Sequence, residues 1–299
     1  MELRQLKTFY TVAQLSSFNK AAETLHYAQS TISAQIRLLE EEFGRPLFDR
    51  LGKSIVLTAA GEVLLRYARK MLDMEAETLT QMAGREEPRG SITLRVPQSL
   101  SSYALPPVLK QFRDRYPRVG LDINSCALTI QQELRSGVID LAFLLIDSIQ
   151  ERDLIAEVLA FEKLLLICGV GHPLAQQPSL GIRELSAQTI LLPKQDCSYK
   201  MLLERMLTEE AVDYAALMEF NSIEAIKRSV REGVGITLIP EMAVRSEIES
   251  GELMALPWSE GVLETAVLMI RHKEKWLSPA LRDFMTLVRE HFHLHHDNI

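Results

Sequence analysis

The sequence has few cysteines and no long apolar run. Cys126, Cys168 and Cys197 are an odd number, widely spaced, with neither a CxxC pair nor a nearby cluster of metal ligands. This pattern is typical of reduced thiols and not of a disulfide framework or a zinc site. No stretch approaches the roughly 18 apolar residues of a membrane helix, and the N-terminal MELRQLKTFYTVAQ lacks the apolar core and cleavage site of a secretion signal. We therefore expect a cytoplasmic protein without membrane contact.

The motifs of common catalytic and metal sites are also missing. There is no Gly-rich phosphate loop, HExxH or GxSxG, and GVGHP lacks the third glycine and the following helix of a dinucleotide fingerprint. The one segment that resembles a metal-binding motif is HFHLHHD, in which His291, His293, His295 and His296 lie close together. The sequence has no second cluster of ligands to complete such a site. We expect no enzyme activity, no cofactor and no metal.

The charge is acidic overall but unevenly distributed. The formal net charge is -7. Residues 1–89 hold 12 basic and 12 acidic side chains, so the remaining 210 residues account for the whole excess. Any contact with nucleic acid must therefore come from the local arrangement of charge in the N-terminal part.

Residues 18–44, FNKAAETLHYAQSTISAQIRLLEEEFG, predict two short helices joined by a tight turn. Asn19 is a candidate N-cap of the first helix. In the second helix, Ile32, Ile36, Leu39 and Phe43 share one face, and the helix ends at Gly44. The outer face carries Ser30, Ser33, Ala34 and Arg37, and Gln29 and Thr31 flank the same end at the start of the helix.

This arrangement is typical of a helix-turn-helix that binds DNA. A helical hairpin with a merely solvated polar face is the alternative, and geometry alone does not separate the two. The hairpin PLFDRLGKSIVLT follows, with Arg50 and Lys53 placed on a wing that could reach phosphates or the minor groove.

A long helix is predicted from its N-cap Thr58 to about Met82. It carries two apolar stripes, one of Leu64, Tyr67, Met71 and Met74, the other of Leu65, Ala68, Leu72, Ala76 and Leu79. One stripe can cover its own domain and the other a second copy of the helix, as in a dimer; burial of both within one chain is the alternative. The segment GREEPRGS, residues 84–91, is rich in Gly, Pro and charge and predicts a hinge.

Beyond the hinge, strands alternate with helices twice over, in ITLRVPQ to DLAFLLI and again in KLLLICGVG to GITLIPE. The alternation predicts two similar α/β lobes with mostly parallel sheets. Such sheets bind ligands at the carboxyl ends of their strands, here in the cleft between the lobes. Candidate wall residues are Gln98, Ser99, Ser101, Ser102, Thr129, the loop of residues 195–199, Asn221 and Ser222.

Several of these residues begin helices, where free N–H groups and the helix dipole favour an anionic ligand such as a carboxylate. Ordinary helix capping is the alternative for each of them. An enzyme on the same two-lobed scaffold is a further alternative, and Lys194, Asp196 and Cys197 would be its only reactive wall residues. A free-standing solute-binding protein would leave the first 90 residues unexplained.

The order of these parts resembles that of the LysR-type transcriptional regulators over essentially the whole chain. The most specific segment is SFNKAAETLHYAQSTISAQIRLLEEEFGRPLFDRLGKSIVLTAAG, residues 17–61. Residues that match the family pattern are Ala21, Ala22, Leu25, Gln29, Ser33, Ile36, Leu39, Glu40, Gly44, Leu47, Phe48, Arg50, Leu57, Thr58 and Gly61.

The resemblance implies an α/β fold class with three parts. These are a winged helix-turn-helix (residues 1–58), a dimerising linker helix and hinge (59–90), and a two-lobed effector domain similar to periplasmic binding proteins (91–299). Lobe I would comprise residues 91–163 and 268–299, and lobe II residues 164–267. Double-stranded DNA, a small-molecule effector and further copies of the chain, as a dimer or tetramer, are the implied partners.

Site residues follow from the same resemblance. Gln29, Ser30, Thr31 and Ser33 would enter the major groove, with Gln29 able to pair with adenine, while Arg37, Arg50 and Lys53 would contact the backbone. Ala34 stands where many members have a basic residue, and Ala127 where members often have Ser or Thr, which shifts the implied carboxylate contact to Ser125 or Thr129. The implied effector contacts are Gln98, Ser99, Ser101, Ser102, Thr129, Asp196, Cys197, Ser198, Asn221 and Ser222. Cys197 lies where peroxide-sensing members keep a reactive cysteine, so redox sensing is an alternative role.

Overall fold

A computed structural model describes residues 1–51, 54–82, 88–125, 129–146, 148–149, 151–194 and 198–296. Within these ranges it does not describe the side chains of residues 50, 51, 54, 77, 80, 81, 198 and 294–296. Across the described part of the chain, every helix is too short or too polar to cross a membrane.

The N-terminal domain is a three-helix unit followed by a two-stranded wing. Its elements are α1 (Leu3–Leu15), α2 (Phe18–Leu25), α3 (Gln29–Phe43), β1 (Phe48–Leu51) and β2 (Ser54–Leu57). The wing strands are antiparallel. Val12, Ala21 and Ile32 are fully buried where the three helices meet, because small residues on α2 let the helices approach closely. The predicted helix-turn-helix and wing are thus confirmed as structure.

Two details of this domain differ from the prediction. The N-cap of α2 is Ser17, whose hydroxyl accepts from the N–H of Lys20, and Asn19 lies inside the helix. Phe43 is 42% exposed, while Ile32, Ile36 and Leu39 are buried. The last apolar residue of the predicted face of α3 is therefore only partly covered.

The linker helix α4 (Ala59–Met82) runs from the wing to the second domain. Thr58 accepts from the N–H of Gly61 at 3.0 Å, as predicted for an N-cap. Leu64 was predicted to lie in a different stripe from Leu65 and Ala68. In the structure all three residues are buried together against the N-terminal domain. The large apolar residues exposed on the described part of α4 are Val63, Tyr67, Met71, Met74, Leu79 and Met82.

The second domain consists of two lobes that share two long strands. Lobe I contains β3 (Gly90–Arg95), α5 (Pro106–Arg115), β4 (Val119–Asn124), α6 (Ile130–Ser136), β5 (Leu141–Leu145) and α10 (Pro279–His296). Lobe II contains β7 (Thr189–Pro193), α7 (Ser198–Glu209), β8 (Ala216–Phe220), α8 (Ile223–Arg231), β9 (Thr237–Pro240), α9 (Arg245–Glu249) and β10 (Leu253–Ala255). The shared strands are β6 (Leu154–Gly169) and β11 (Glu264–His272).

The sheets are mixed, which corrects the expectation of mostly parallel sheets. β3 pairs in parallel with β4 and β5, and β7 pairs in parallel with β8. The shared strands, however, run antiparallel to each other. β5 is antiparallel to its neighbour β11, and β9 and β10 are antiparallel to their neighbour β6. A strand that leaves one lobe for the other and a strand that returns must run in opposite directions. The apolar core continues through both lobes, from Phe112, Phe143 and Phe284 to Leu192 and Leu238.

Candidate DNA-binding surface and effector cleft

The outer face of α3 presents the predicted polar cluster. Gln29, Ser30, Thr31 and Arg37 are exposed and Ser33 is half-buried. The side-chain amide of Gln29 donates to the Ser33 hydroxyl at 2.9 Å. The two side chains therefore hold each other on the surface of the helix.

A buried hydrogen bond fixes α3 on the domain. The Thr8 hydroxyl of α1 donates to the side-chain oxygen of Gln35 at 2.6 Å, and both residues are buried. Because the two buried polar groups are each other's hydrogen-bond partners, the bond fixes the rotation of α3 about its own axis. This pair was not predicted from the sequence. A glutamine between Ile32 and Ile36, on the inward side of the helix, is the sequence feature that indicates a buried polar contact.

The start of α3 and the wing could approach the DNA backbone. Ala28 caps α3 with its carbonyl alone, and its methyl side chain cannot accept from the first-turn N–H groups. Unpaired backbone N–H groups at the start of a helix are a common binding site for phosphate. Arg37 is 74% exposed and pairs with Glu41 at 3.2 Å, a bond weak enough to be exchanged. The side chain of Arg50 and the whole of Lys53 lie outside the described residues.

In the second domain, Gln98 joins the two lobes across the cleft. Its side-chain oxygen accepts from the N–H of Ile223, the first residue of α8, at 3.0 Å. The Ser222 hydroxyl accepts from the N–H of Ala225 at the same helix start. The segment after β3 and the start of α8, both predicted as walls of the cleft, therefore lie next to each other.

Ser99 has an unusual environment for a polar residue. It is only 1% exposed, and among the described residues its hydroxyl has no hydrogen-bond partner. It precedes a π-helical turn, Leu100–Ala104, a geometry that is frequent at functional sites. Ser101, by contrast, donates to the carbonyl of Gln98 at 3.0 Å, and Ser102 is exposed.

The remaining predicted wall residues are less clearly assembled. Thr129 donates to Glu133 at 3.0 Å within its own helix, and Asn221 is exposed. Tyr199, at the end of the predicted loop, is buried in the core at 1% exposure. Gln195, Asp196 and Cys197 lie outside the described residues, as does the side chain of Ser198, and so does Ala127.

Tyr103 makes a second bridge between the lobes, which was not predicted from the sequence. Its hydroxyl donates to Glu224 and accepts from Lys227 at 3.1 Å. Lys227 is 4% exposed and also pairs with Glu247. Burial opposes its charge, but hydrogen bonds to both carboxylates and to Tyr103 hold the pKa of Lys227 above its usual value. A lysine in register with Ile223, Ile226 and Val230 on α8 was the available signal.

The cysteine and metal predictions are only partly within the described residues. Cys168 is a buried free thiol, and burial raises its pKa to about 11, so it is protonated and unreactive at neutral pH. Cys126 and Cys197 lie outside the described residues, as do the side chains of His295 and His296. In the part that is described, no group of three His, Cys, Asp or Glu could hold a metal ion.

Two models of known families match the chain. A bacterial regulatory helix-turn-helix protein of the lysR family matches residues 3–62, and a LysR substrate binding domain matches residues 85–293. Among related proteins, the uncharacterised HTH-type transcriptional regulator YwqM of Bacillus subtilis is 35% identical over 98% of this chain and 100% of its own length. The HTH-type transcriptional regulator GltR of Bacillus subtilis is 30% identical over 98% of each chain.

Solved structures share the architecture. ArgP from Mycobacterium tuberculosis superimposes with a TM-score of 0.76 at 23% identity over 96% of each chain. A full-length OxyR variant from Pseudomonas aeruginosa has a TM-score of 0.75 at 24% identity, covering 98% of this chain and 95% of its own. Full-length LysG from Corynebacterium glutamicum with bound effector arginine has a TM-score of 0.71 at 23% identity, covering 98% of this chain and 99% of its own.

Proposed function

The chain belongs to the LysR family of DNA-binding transcriptional regulators, and from this premise we propose that it is a cytoplasmic, sequence-specific regulator controlled by a small molecule bound between its two lobes. The proposed parts are a DNA-binding domain (residues 1–58), a linker (59–90) and an effector domain (91–299). The DNA contacts proposed are Gln29, Ser30, Thr31, Ser33, Arg37, Arg50 and Lys53.

The unpartnered hydroxyl of Ser99 carries the effector proposal. A buried polar group without a partner costs about 1–3 kcal/mol, and such a cost is retained where a ligand supplies the missing partner. Ser99 lies beside Gln98, the residue that bridges the cleft. We propose an effector with a hydrogen-bond acceptor for Ser99, for which a carboxylate is suited, and with further contacts to Gln98, Thr129 and Ser222.

The outward stripe of α4 supports assembly with a second copy of the chain. Tyr67, Met71 and Met74 are 52%, 38% and 56% exposed at spacings of four and three, which is the repeat of a two-helix contact. A dimer paired through this stripe would place two copies of α3 on half-sites about one DNA turn apart. We propose that such dimers act alone or as pairs in a tetramer.

Selection from a duplex library at several salt concentrations tests the DNA-binding proposal. We expect the wild type to enrich a pseudo-palindromic site. Gln29→Ala should lose about 1–3 kcal/mol of discrimination at one base pair of each half-site. Arg37→Ala should instead weaken all duplexes alike and lower the salt slope by about one.

Lys110→Ala is the matched control for charge. Lys110 is an exposed lysine on α5 that pairs with Asp114 at 3.4 Å, far along the chain from the proposed DNA contacts, so its removal should leave the salt slope unchanged. Absence of any enriched sequence at every salt concentration would refute sequence-specific binding. An equal loss of duplex affinity in Lys110→Ala and Arg37→Ala would show that Arg37 acts only through the net charge of the protein.

The effector proposal predicts that Ser99→Ala stabilises the ligand-free protein. Removal of the unpartnered hydroxyl should raise the free energy of unfolding by about 1 kcal/mol. Ser101→Ala should have no such effect, because the Ser101 hydroxyl already has a partner. Thermal unfolding of the three proteins tests this, followed by a panel of small carboxylic acids. An acid that stabilises the wild type and Ser101→Ala should not stabilise Ser99→Ala; an equal response in all three would place its site elsewhere.

A further inference from the structure

A buried group of charges joins the linker helix to lobe I, away from both the cleft and the DNA-binding face. Its central residue is Arg69 on α4, which is 6% exposed. Arg69 donates to the carbonyl of Gly137 at 2.5 Å, to the carbonyl of Val138 at 3.0 Å and to the carboxylate of Asp140. One guanidinium group therefore holds three groups in the short connection between α6 and β5.

Asp140 is shared by both domains. Besides Arg69, it pairs with Lys275 in the segment before α10 and accepts from the N–H of Thr93 on β3 at 2.7 Å. Asp73, one turn after Arg69 on α4, lies 3.8 Å from Arg69 and 4.0 Å from Lys275. The two cations and two carboxylates balance, so loss of any one leaves an uncompensated buried charge.

Among the described residues, one residue of lobe I takes part in the apolar packing at this contact. From lobe I, Val138 packs against the apolar cluster of α1, α3 and α4. Beside it is an open cavity of about 380 Å³ lined by Arg66, Arg69, Arg135 and Lys275 among others, which gives water access to the edge of the charge group. Replacing these bonds by bonds to water is less costly than exposing an apolar interface of the same size. The contact thus suits an element with two arrangements.

The groups held by Arg69 are connected to the cleft through short, regular elements. α6 begins after Thr129 and ends at Gly137, a length of about 10 Å. β3 carries Thr93 and ends shortly before Gln98 and Ser99. Glu133 in the middle of α6 pairs with Arg95 at the end of β3 at 2.8 Å. The carbonyl groups that Arg69 binds are therefore linked to the cleft wall through α6 and β3.

We propose that Arg69 is a positioning residue that couples α6 to the linker helix, so that occupation of the cleft changes how firmly α4 and the DNA-binding domain are held on lobe I. The coupling rests on the proposed effector site. A ligand can act in this way only if it binds the held and released arrangements with different affinity.

Hydrogen exchange of the full-length protein, without DNA or effector, tests the coupling. Arg69→Lys keeps the charge beside Asp140 but cannot reach both carbonyl groups, and it should speed exchange in the middle of α4 by about tenfold. Arg289→Lys is the matched control, since Arg289 makes a bidentate pair with Glu157 on lobe I and should leave α4 unchanged. Exchange in β5 and β11 reports whether lobe I remains folded.

Glu133→Gln supplies the measurement that a merely structural role would not affect. It loosens α6 from β3 without touching α4, and should speed exchange in α4 about threefold in the wild-type background and not at all in Arg69→Lys. Equal effects in both backgrounds, or unchanged exchange of α4 in Arg69→Lys, would overturn the proposal. Because no DNA is present, a failed duplex selection would refute the regulator function and leave this result standing.

Discussion

Gly61→Ala is expected to unfold the junction between the wing and the linker helix. A Cβ atom at residue 61 would lie 2.1 Å from the carbonyl oxygen of Leu47 and 2.9 Å from the side chain of Leu57. The Leu47 carbonyl also accepts from the N–H of Thr58, so it cannot move without loss of that bond. We expect the DNA-binding domain to lose about 3 kcal/mol or more of folding free energy.

The loss should be confined to one domain. Duplex affinity should fall at least about a hundredfold, which corresponds to about 2.8 kcal/mol, while the effector domain unfolds at its wild-type temperature. Gly44→Ala is the control, because its φ of +63° penalises alanine but nothing lies within 4 Å of the added atom; its cost should be about 1 kcal/mol. Calorimetry with duplex titration measures both effects. Wild-type affinity in Gly61→Ala would show that the helix start can move aside.

Glu162→Gln should stabilise the effector domain at alkaline pH. Glu162 lies on β6 where the strand passes between the lobes, and it accepts from the N–H of Met242 at 2.8 Å. Burial, and the nearby Glu241, raise its pKa from 4.5 to about 7. The folded protein therefore keeps the Glu162 proton more strongly than the unfolded chain does, and this contribution is present below pH 4.5 and is lost as the pH rises through 7.

Glutamine keeps the acceptor for Met242 and cannot ionise. The variant should match the wild type near pH 4.5 and exceed its unfolding free energy by about 2–3 kcal/mol at pH 8.5. Glu157→Gln on the same strand is the control with the opposite sign, since it loses the bidentate pair with Arg289. Denaturant unfolding at the two pH values distinguishes them. A pH-independent difference between Glu162→Gln and the wild type would contradict the raised pKa.

The DNA-binding domain could be predicted almost completely because its rules are local. The spacing of Ile32, Ile36 and Leu39, the glycine at residue 44 and the cap at Thr58 each act within one or two turns of helix. The errors have local causes too. Ser17 and Asn19 are both good N-caps only two residues apart, and it is the Ser17 hydroxyl that accepts from the N–H of Lys20.

The effector domain was less predictable because its decisive features are long-range. The sequence showed KLLLICGVG as a strand, but β6 extends from Leu154 to Gly169, and most of its first half is exposed or half-buried, whereas its last four residues are buried. Its antiparallel neighbours follow from topology, which alternation of strands and helices does not encode. The bridge from Gln98 to Ile223 spans 125 positions of the chain. No periodicity reports such a pair, so the wall residues were found only as a class of polar strand and helix ends.

The antiparallel pairing of the shared strands also has a consequence for protein engineering. Lys163 and Glu264 are direct partners across β6 and β11, so lobe II is topologically an insertion into a hairpin of lobe I. The chain leaves and re-enters lobe I at adjacent points, as is common where one domain has been inserted into another. Lobe II could therefore be exchanged for the corresponding segment of a relative, or for a tight turn, without rethreading the rest of the molecule.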